Sequence, residues 1–347
     1  MNIRDFAAKL AAAALAFAIT AAFCGCERRI LTGGETESLA FSQPEESVDG
    51  AQEDGSVPSE DGSSEEREPE RSAAENDGAP GVRIDRFSAY ATDIFVYDCI
   101  TGGLTELTYD GNPRVYPAST TKLLTALTAL EVLDEDEIIQ PGDEVFMTGE
   151  NASFAYIRPQ HRLRVATLVE GMLLPSGNDA AYALAAAAGR RLAGDPALGY
   201  EAAVSRFVQG MNDYAEGIGC TGSYFTAPDG FDGDDNYSCL ADMALIARLA
   251  AENEVVMRYA GLRSDDVTYA SGHQITWVNT NKQLDPESEF YNEHVTGLKT
   301  GSLNGNCCVI TSYDDGAYRF IIGVFGAETD EGRYRDTKAL IKLLTKD

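Results

Sequence analysis

At 347 residues with 44% hydrophobic side chains, the chain is long enough to bury a large core, and its 56 Asp and Glu against 27 Lys and Arg leave a formal net charge of −29. That excess of negative charge repels phosphate backbones and argues against a nucleic-acid ligand. Seven cysteines spread over this length do not make a disulfide scaffold.

The amino terminus reads as an address. Arg4 and Lys9 precede an apolar run from Leu10 to Phe23, too short and too Ala-rich to span a membrane comfortably, so residues 1–25 are expected to be a secretory signal peptide. Phe23-Cys24-Gly25-Cys26 resembles a bacterial lipoprotein box with an atypical first residue. Lipidation of Cys26 is the expectation, with ordinary signal cleavage or an uncleaved anchor as alternatives. From Glu27 to Gly81 the composition turns to Ser, Gly, Pro and acid, with 16 acidic and 4 basic residues. Such a segment cannot bury enough apolar surface to fold, so residues 26–85 are read as lipid attachment plus an acidic tether. About 55 flexible residues span on the order of 40 Å. The protein is expected on the extracytoplasmic face of the bacterial membrane, with its folded part held some distance from the surface.

Residues 86–347 carry the folding signals. Pro117 and Ala118 lead into Ser119, after which Leu123, Leu124, Leu127, Leu130 and Leu133 recur at three- to four-residue spacing, predicting an amphipathic helix that Ser119 opens. A second helix is predicted over 165–174; Pro175-Ser176-Gly177-Asn178 breaks it, and Asp179 is expected to cap an Ala-rich helix from 180 to 192. Segments 306–313 and 318–327, rich in Val, Ile, Phe and Tyr around Asp314-Asp315-Gly316, predict a hairpin, with Lys299-Thr300-Gly301 on or beside its sheet edge. A last helix is predicted over 332–344.

Three motifs in this region carry chemistry: Ser119-Thr120-Thr121-Lys122, Ser176-Gly177-Asn178 and Lys299-Thr300-Gly301. Each is weak alone; their order, and the fact that two of only seven lysines fall in them, give the weight. Residues three apart on a helix are neighbours, so Lys122 can reach the Ser119 hydroxyl. It can take that proton only if burial or a nearby cation destabilises its ammonium, and Lys299 is a candidate for that cation. Ser176 and Asn178 on a polar elbow can relay a proton and hold a substrate backbone or Lys122 itself. A free strand edge at Lys299 and Thr300 can pair with a peptide and meet its terminal carboxylate, Gly301 leaving room for close approach.

Together the three motifs resemble the serine penicillin-binding enzymes and serine β-lactamases. Tyr116–Lys122, Pro175–Ala181, Met211-Asn212, Phe225–Phe231, Tyr237-Ser238, Asn279–Asn281 and Thr296–Gly301 narrow the resemblance to the low-molecular-mass D-alanyl-D-alanine carboxypeptidases, from about Thr92 onward. That resemblance implies an α+β fold, an antiparallel sheet flanked by helices plus a mostly helical lobe, with the active serine between them. It implies two-step acyl transfer on peptidoglycan stem peptides: Ser119, Lys122 and Ser176 catalytic; Asn178, Lys299, Thr300, Gly301 and Ser302 binding substrate; the N–H groups of Ser119 and Ser302 forming the oxyanion hole; β-lactams as covalent inhibitors; and no cofactor. Many relatives add a β-rich domain and a C-terminal amphipathic helix, neither of which is recognisable here, so the lipid is expected to serve as anchor. After Lys299-Thr300-Gly301, where relatives have an aromatic or His and then Thr, this chain has Ser302-Leu303, followed by Asn304-Gly305-Asn306-Cys307. A β-lactamase and a non-catalytic binder of cell-wall peptides are the rival readings.

With Cys24 and Cys26 set aside, Cys99, Cys220, Cys239, Cys307 and Cys308 remain, an odd number read mainly as small buried hydrophobes. His161, His273 and His294 show no zinc-peptidase spacing, so no metal is expected.

Overall fold

The computed structural model describes residues 89–109, 111–231 and 235–345. The expected signal peptide, Cys26 and the acidic tether lie outside the described residues.

Five antiparallel strands form the central sheet. They are β1 (Asp93–Asp98), β2 (Leu104–Thr108), β7 (Val295–Leu303), β8 (Asn306–Asp314) and β9 (Arg319–Ala327), in the order β2-β1-β9-β8-β7. Two small antiparallel pairs accompany it: β3 (Ile138–Ile139) with β4 (Leu163–Arg164), and β5 (Ser264–Thr268) with β6 (Gln274–Val278). The hairpin predicted around Asp314-Asp315-Gly316 is β8–β9, where Asp315 Oδ1 accepts from the N–H groups of Ala317 and Tyr318. The sheet alternates as a strand period of two requires. Ile94, Val96, Val309, Ile322 and Val324 face α7 (Asp330–Leu344), while Phe95, Ile310, Ile321 and Phe325 face the helical lobe.

That lobe consists of α1 (Lys122–Val132), α2 (Val165–Leu173), α3 (Asn178–Ala193), α4 (Tyr200–Ile218), α5 (Leu240–Glu252) and α6 (Glu254–Ala260). Sheet, lobe and α7 give the expected α+β architecture.

Three local expectations change. Ser119 does not open an α-helix; it lies in a 3₁₀ turn, Ala118–Thr121, and α1 begins at Lys122. Helix α1 is not amphipathic in practice, because Lys122 through Ala129 are all buried between sheet and lobe. Nor does Asp179 cap α3. Gly177 occupies the cap position, and the Asp179 carboxylate instead accepts from Ala155 N and Ile157 N, each at 2.8 Å, and from Ala180 N at 3.0 Å. A buried carboxylate with several donors holds a loop more firmly than an end-cap holds a helix. All five cysteines in the described residues are free; Cys220 and Cys308 are buried and the others half-buried.

Candidate active site

The three motifs converge between sheet and lobe. Ser119 is held by a turn whose preceding residue, Ala118, has φ 45°, a left-handed conformation that L-residues seldom adopt. Gly230 makes that turn possible. With φ 77°, it passes so close that a Cβ there would lie 1.9 Å from Ala118 O. From the other side β7, the free edge of the sheet, presses in: a side chain at Gly301 would come within 3.0 Å of Ser119 N and Pro117 O. Gly301 therefore serves close approach, as its motif suggested.

Lys122 leads α1 and is fully buried. Its Nζ donates to Ser119 Oγ at 2.7 Å and Asn178 Oδ1 at 2.7 Å, lies 3.5 Å from Ser176 Oγ, and also donates to Asp229 O at 3.2 Å. Ser176 is the turn between α2 and α3, with φ 61°, so a second left-handed residue points into the same cluster. Asn178 uses its carbonyl on Lys122, while its buried Nδ2 has no hydrogen-bond partner among the described residues. A buried amide left with a free donor is costly unless a ligand completes it.

Burial pulls the Lys122 pKa down to about 8, against the partial restoring pull of Asp229 and Asp179. Lys299 on β7 is equally buried, and its pKa falls well below the ordinary lysine value through burial, then repulsion from Lys122, then Arg333. The expectation that Lys299 holds Lys122 neutral is thus modified: desolvation is the main cause at Lys122, and the mutual repulsion shows chiefly at Lys299. Its Nζ donates to Thr300 O at 2.9 Å, and Thr300 Oγ1 shares a 2.6 Å hydrogen bond with Thr280 Oγ1. Ser302 is exposed at the strand's outer edge.

All eight predicted catalytic and substrate-binding residues therefore lie at this one junction of sheet and lobe. Three contributors were given no role by the sequence reading, although Asp229 and Thr280 lie in segments that carried the resemblance. Asp229 acts through its backbone carbonyl, which no side-chain pattern reveals. Thr280 sits beside Thr300 only through tertiary folding. Arg333, buried on α7, donates to Gly301 O at 2.7 Å, Cys308 O at 2.8 Å and Ser302 Oγ at 3.2 Å, and also bonds Asp330. It braces β7 against β8 behind the site. Its only sequence signal was a basic residue on the inward face of a helix.

The hairpin β7–β8 was also missed, although Asn304-Gly305 is a strong two-residue turn signal. Both residues have positive φ, 51° and 81°. Asn306, just after the turn, donates to Tyr116 O at 3.0 Å and accepts from Gly326 N at 2.9 Å, so the segment unlike its relatives is a tied hairpin rather than a loose insertion.

This geometry has close counterparts. A D-alanyl-D-alanine carboxypeptidase from Bacillus subtilis is 30% identical over 229 residues, covering 65% of this chain and 54% of that protein. One from Escherichia coli is 29% identical over 242 residues, covering 67% and 56%. The chain thus spans about half the length of these curated relatives. Among solved structures, the Streptomyces K15 DD-transpeptidase superposes with a TM-score of 0.66 at 26% identity, covering 75% of this chain and 98% of that one. Penicillin-binding protein D2 from Listeria monocytogenes, in its ampicillin-bound form, gives 0.60 at 26%, covering 75% and 100%. With the model of the D-alanyl-D-alanine carboxypeptidase family matching residues 90–329, which contain every residue of the site just described except Arg333, the chain belongs to that family.

Proposed function

We propose that the protein is a serine D-alanyl-D-alanine carboxypeptidase that removes the terminal D-Ala from peptidoglycan stem peptides. The observation that carries this reading is the buried Lys122 Nζ, 2.7 Å from Ser119 Oγ and pulled toward neutrality by its surroundings. A lysine so placed can accept the Ser119 proton as Oγ attacks the penultimate D-Ala carbonyl. The backbone N–H groups of Ser119 and Ser302 receive the developing oxyanion. Collapse breaks the peptide bond, and the proton passes through Ser176 to the leaving D-Ala amine. Water, deprotonated by the same lysine, then hydrolyses the ester and regenerates Ser119.

Substrate itself sharpens the base. A terminal carboxylate arriving at Lys299 and Thr300 favours the charged form of Lys299, and that cation then disfavours a charge on Lys122. Asn178 Nδ2, which no described protein group engages, takes the amide carbonyl on the acyl side. Penicillin would be trapped at Ser119 by the same steps; the ampicillin-bound Listeria relative supports this extension.

The β-lactamase rival needs a carboxylate to activate the deacylating water. Among the described residues none is hydrogen-bonded to Ser119 Oγ or Lys122 Nζ through its side chain. The transpeptidase reading is favoured by the Streptomyces neighbour's name; it shares every step but the last, where an amine replaces water. Intact-mass measurement after penicillin exposure, followed by D-Ala release from a pentapeptide with and without an amine acceptor, tests the assignment. A stable single adduct and hydrolysis without acceptor are expected; rapid penicillin turnover would point to the β-lactamase.

The sequence also supports export and anchoring through lipidated Cys26, with residues 27–85 as spacer.

A further inference from the structure

Glu170 on α2 takes no part in the proposed chemistry, yet it is a buried acid directly behind the site. It is 4% exposed, and its Oε1 has no hydrogen-bond partner among the described residues. The next residue, Gly171, gives its carbonyl to Gly177 N at 3.0 Å, so α2 holds the Ser176-Gly177-Asn178 turn one residue beyond Glu170.

Glu170 faces the β5–β6 hairpin. Asp265 stands opposite Trp277 in the hairpin register and two residues before buried Val267, so a strand period of two puts all three on the inner face. The indole lies so close to α2 that a Cβ on Gly171 would come within 2.8 Å of it. At the same interface the carboxyls of Glu170 and Asp265 share a hydrogen bond. Ionised carboxylates only accept, so this contact requires one proton between the two groups. Among the described residues neither carboxyl is in an ion pair that could replace that proton.

The other titratable groups on the elements around α2 are engaged elsewhere or neutral. Burial keeps Tyr259 on α6 and Tyr269 on the hairpin above the ordinary tyrosine value, hence uncharged. Arg258 on α6 pairs with Glu135, and Arg164 on β4 with Asp136. Asp179 on α3 is bonded to backbone N–H groups, and Lys122 on α1 to Ser119 and Asn178. Burial first, then Asp265, raises the Glu170 pKa to about 8. The hairpin also reaches the cleft: Trp277 Nε1 donates to Ala155 O at 3.1 Å, and two residues past β6 the Thr280 hydroxyl meets Thr300 Oγ1.

We propose that Glu170 and Asp265 form a proton-operated clasp that docks the β5–β6 hairpin on α2 and so holds Thr280 against Thr300. When solvent hydroxide takes the shared proton, two carboxylates face each other across the interface and the hairpin loosens. The Ser176-Gly177-Asn178 turn keeps its own bonds to Gly171 O and Ser153 O, so acylation at Ser119 continues. The clasp stands independently of the peptidase reading; its effect on substrate rests on that reading.

Trp277 is the chain's only tryptophan and reports on the interface directly. In the wild type its emission should change in one step centred near pH 8, with acrylamide quenching rising about threefold from pH 6.5 to 9.5. Glu170→Gln has the same shape and donates to Asp265 at every pH, so the step should vanish. Asp265→Asn should move the midpoint down by about one pH unit or more, because a neutral partner no longer opposes ionisation. A step from His161, whose pKa lies below the ordinary 6.5, would fall lower and appear in both variants. The raised Glu170 value belongs to the folded protein, so its stabilising contribution is whole below pH 4.5 and lost as pH rises to about 8. Over that window the wild-type Tm should fall more steeply than that of Glu170→Gln. Between pH 7.5 and 9.5, KM for Nα-acetyl-Lys-D-Ala-D-Ala should rise about threefold in the wild type and stay level in Glu170→Gln, with kcat alike in the two. Stoichiometric penicillin labelling reports that each variant is folded. A wild type with no emission step near pH 8, or a step that persists in Glu170→Gln, overturns the clasp. A step without the KM difference overturns its reach to Thr280. An intact step in a protein that releases no D-Ala overturns the peptidase reading and leaves the clasp standing.

Discussion

The Ser119–Lys122 pair makes separable demands on its two members. Ser119→Ala removes the acceptor oxygen but leaves Lys122 its contacts with Asn178 and Asp229 O, so stability should fall by only about 1 kcal/mol while the penicillin adduct disappears from the mass spectrum. Persistent labelling would mean another nucleophile. Lys122 must shed its proton to act, and its pKa of about 8 sets when. The acylation rate should rise by about tenfold per pH unit below that value and level off above it, because the uncharged fraction grows as pH rises. In Lys122→Arg the rate should drop at least about 10²-fold and lose this rise, since guanidinium stays protonated throughout. Stopped-flow acylation across pH 6–10 checks both. These residues were legible because helix geometry ties a spacing of three to a contact, and because S-x-N and K-T-G are short enough to be local. Asp229 O, Thr280 and Arg333 were not, because they meet the site only through pairings of distant segments.

Elements impose a different kind of constraint, visible where a polar residue does something other than its local pattern suggests. Asp179 follows a helix break and looked like an end-cap, yet it anchors the 155–157 loop, some twenty residues back in the chain. Sequence spacing could not reveal this, because the donors are backbone N–H groups of a segment with no periodicity. The same holds for the 3₁₀ turn at Ser119. Its left-handed Ala118 is set by Gly230 and β7 crowding from outside, and no residue preference announces that. Strands β8 and β9 and helix α7 were read to within a few residues, because their alternation and turn chemistry are local. Asp179→Asn replaces an acceptor pair by one acceptor and a donor facing N–H groups. It should destabilise the protein by about 2–3 kcal/mol in denaturant titration. Acylation should also slow, because the released loop no longer holds Asn178 N through Ser153 O. A variant with wild-type stability and rate would show that the Asp179 bonds do not matter for either.

At the scale of the whole molecule, the proposed activity on cell-wall peptides raises the question of how the cleft would reach an immobile polymer. Among the described residues no helix is long and apolar enough to cross a membrane. The apolar run to Phe23, Gly25-Cys26 and the acidic stretch to Gly81 support the proposal of a lipid at Cys26 followed by a charged spacer. A single acyl chain binds membranes only marginally, whereas the two or three chains of a bacterial lipoprotein hold firmly. Cys26→Ser should therefore move the protein from the detergent phase to the aqueous phase, or leave an unprocessed signal, in a phase-partition experiment. The acylation rate of a soluble form beginning near Arg83 should match that of the full-length protein, because Ser119 and its partners all lie within the described fold. Mass spectrometry of the mature amino terminus decides between the routes: a diacyl or triacyl Cys26 is expected, and an unmodified residue at or beyond Glu27 would establish a freely secreted enzyme.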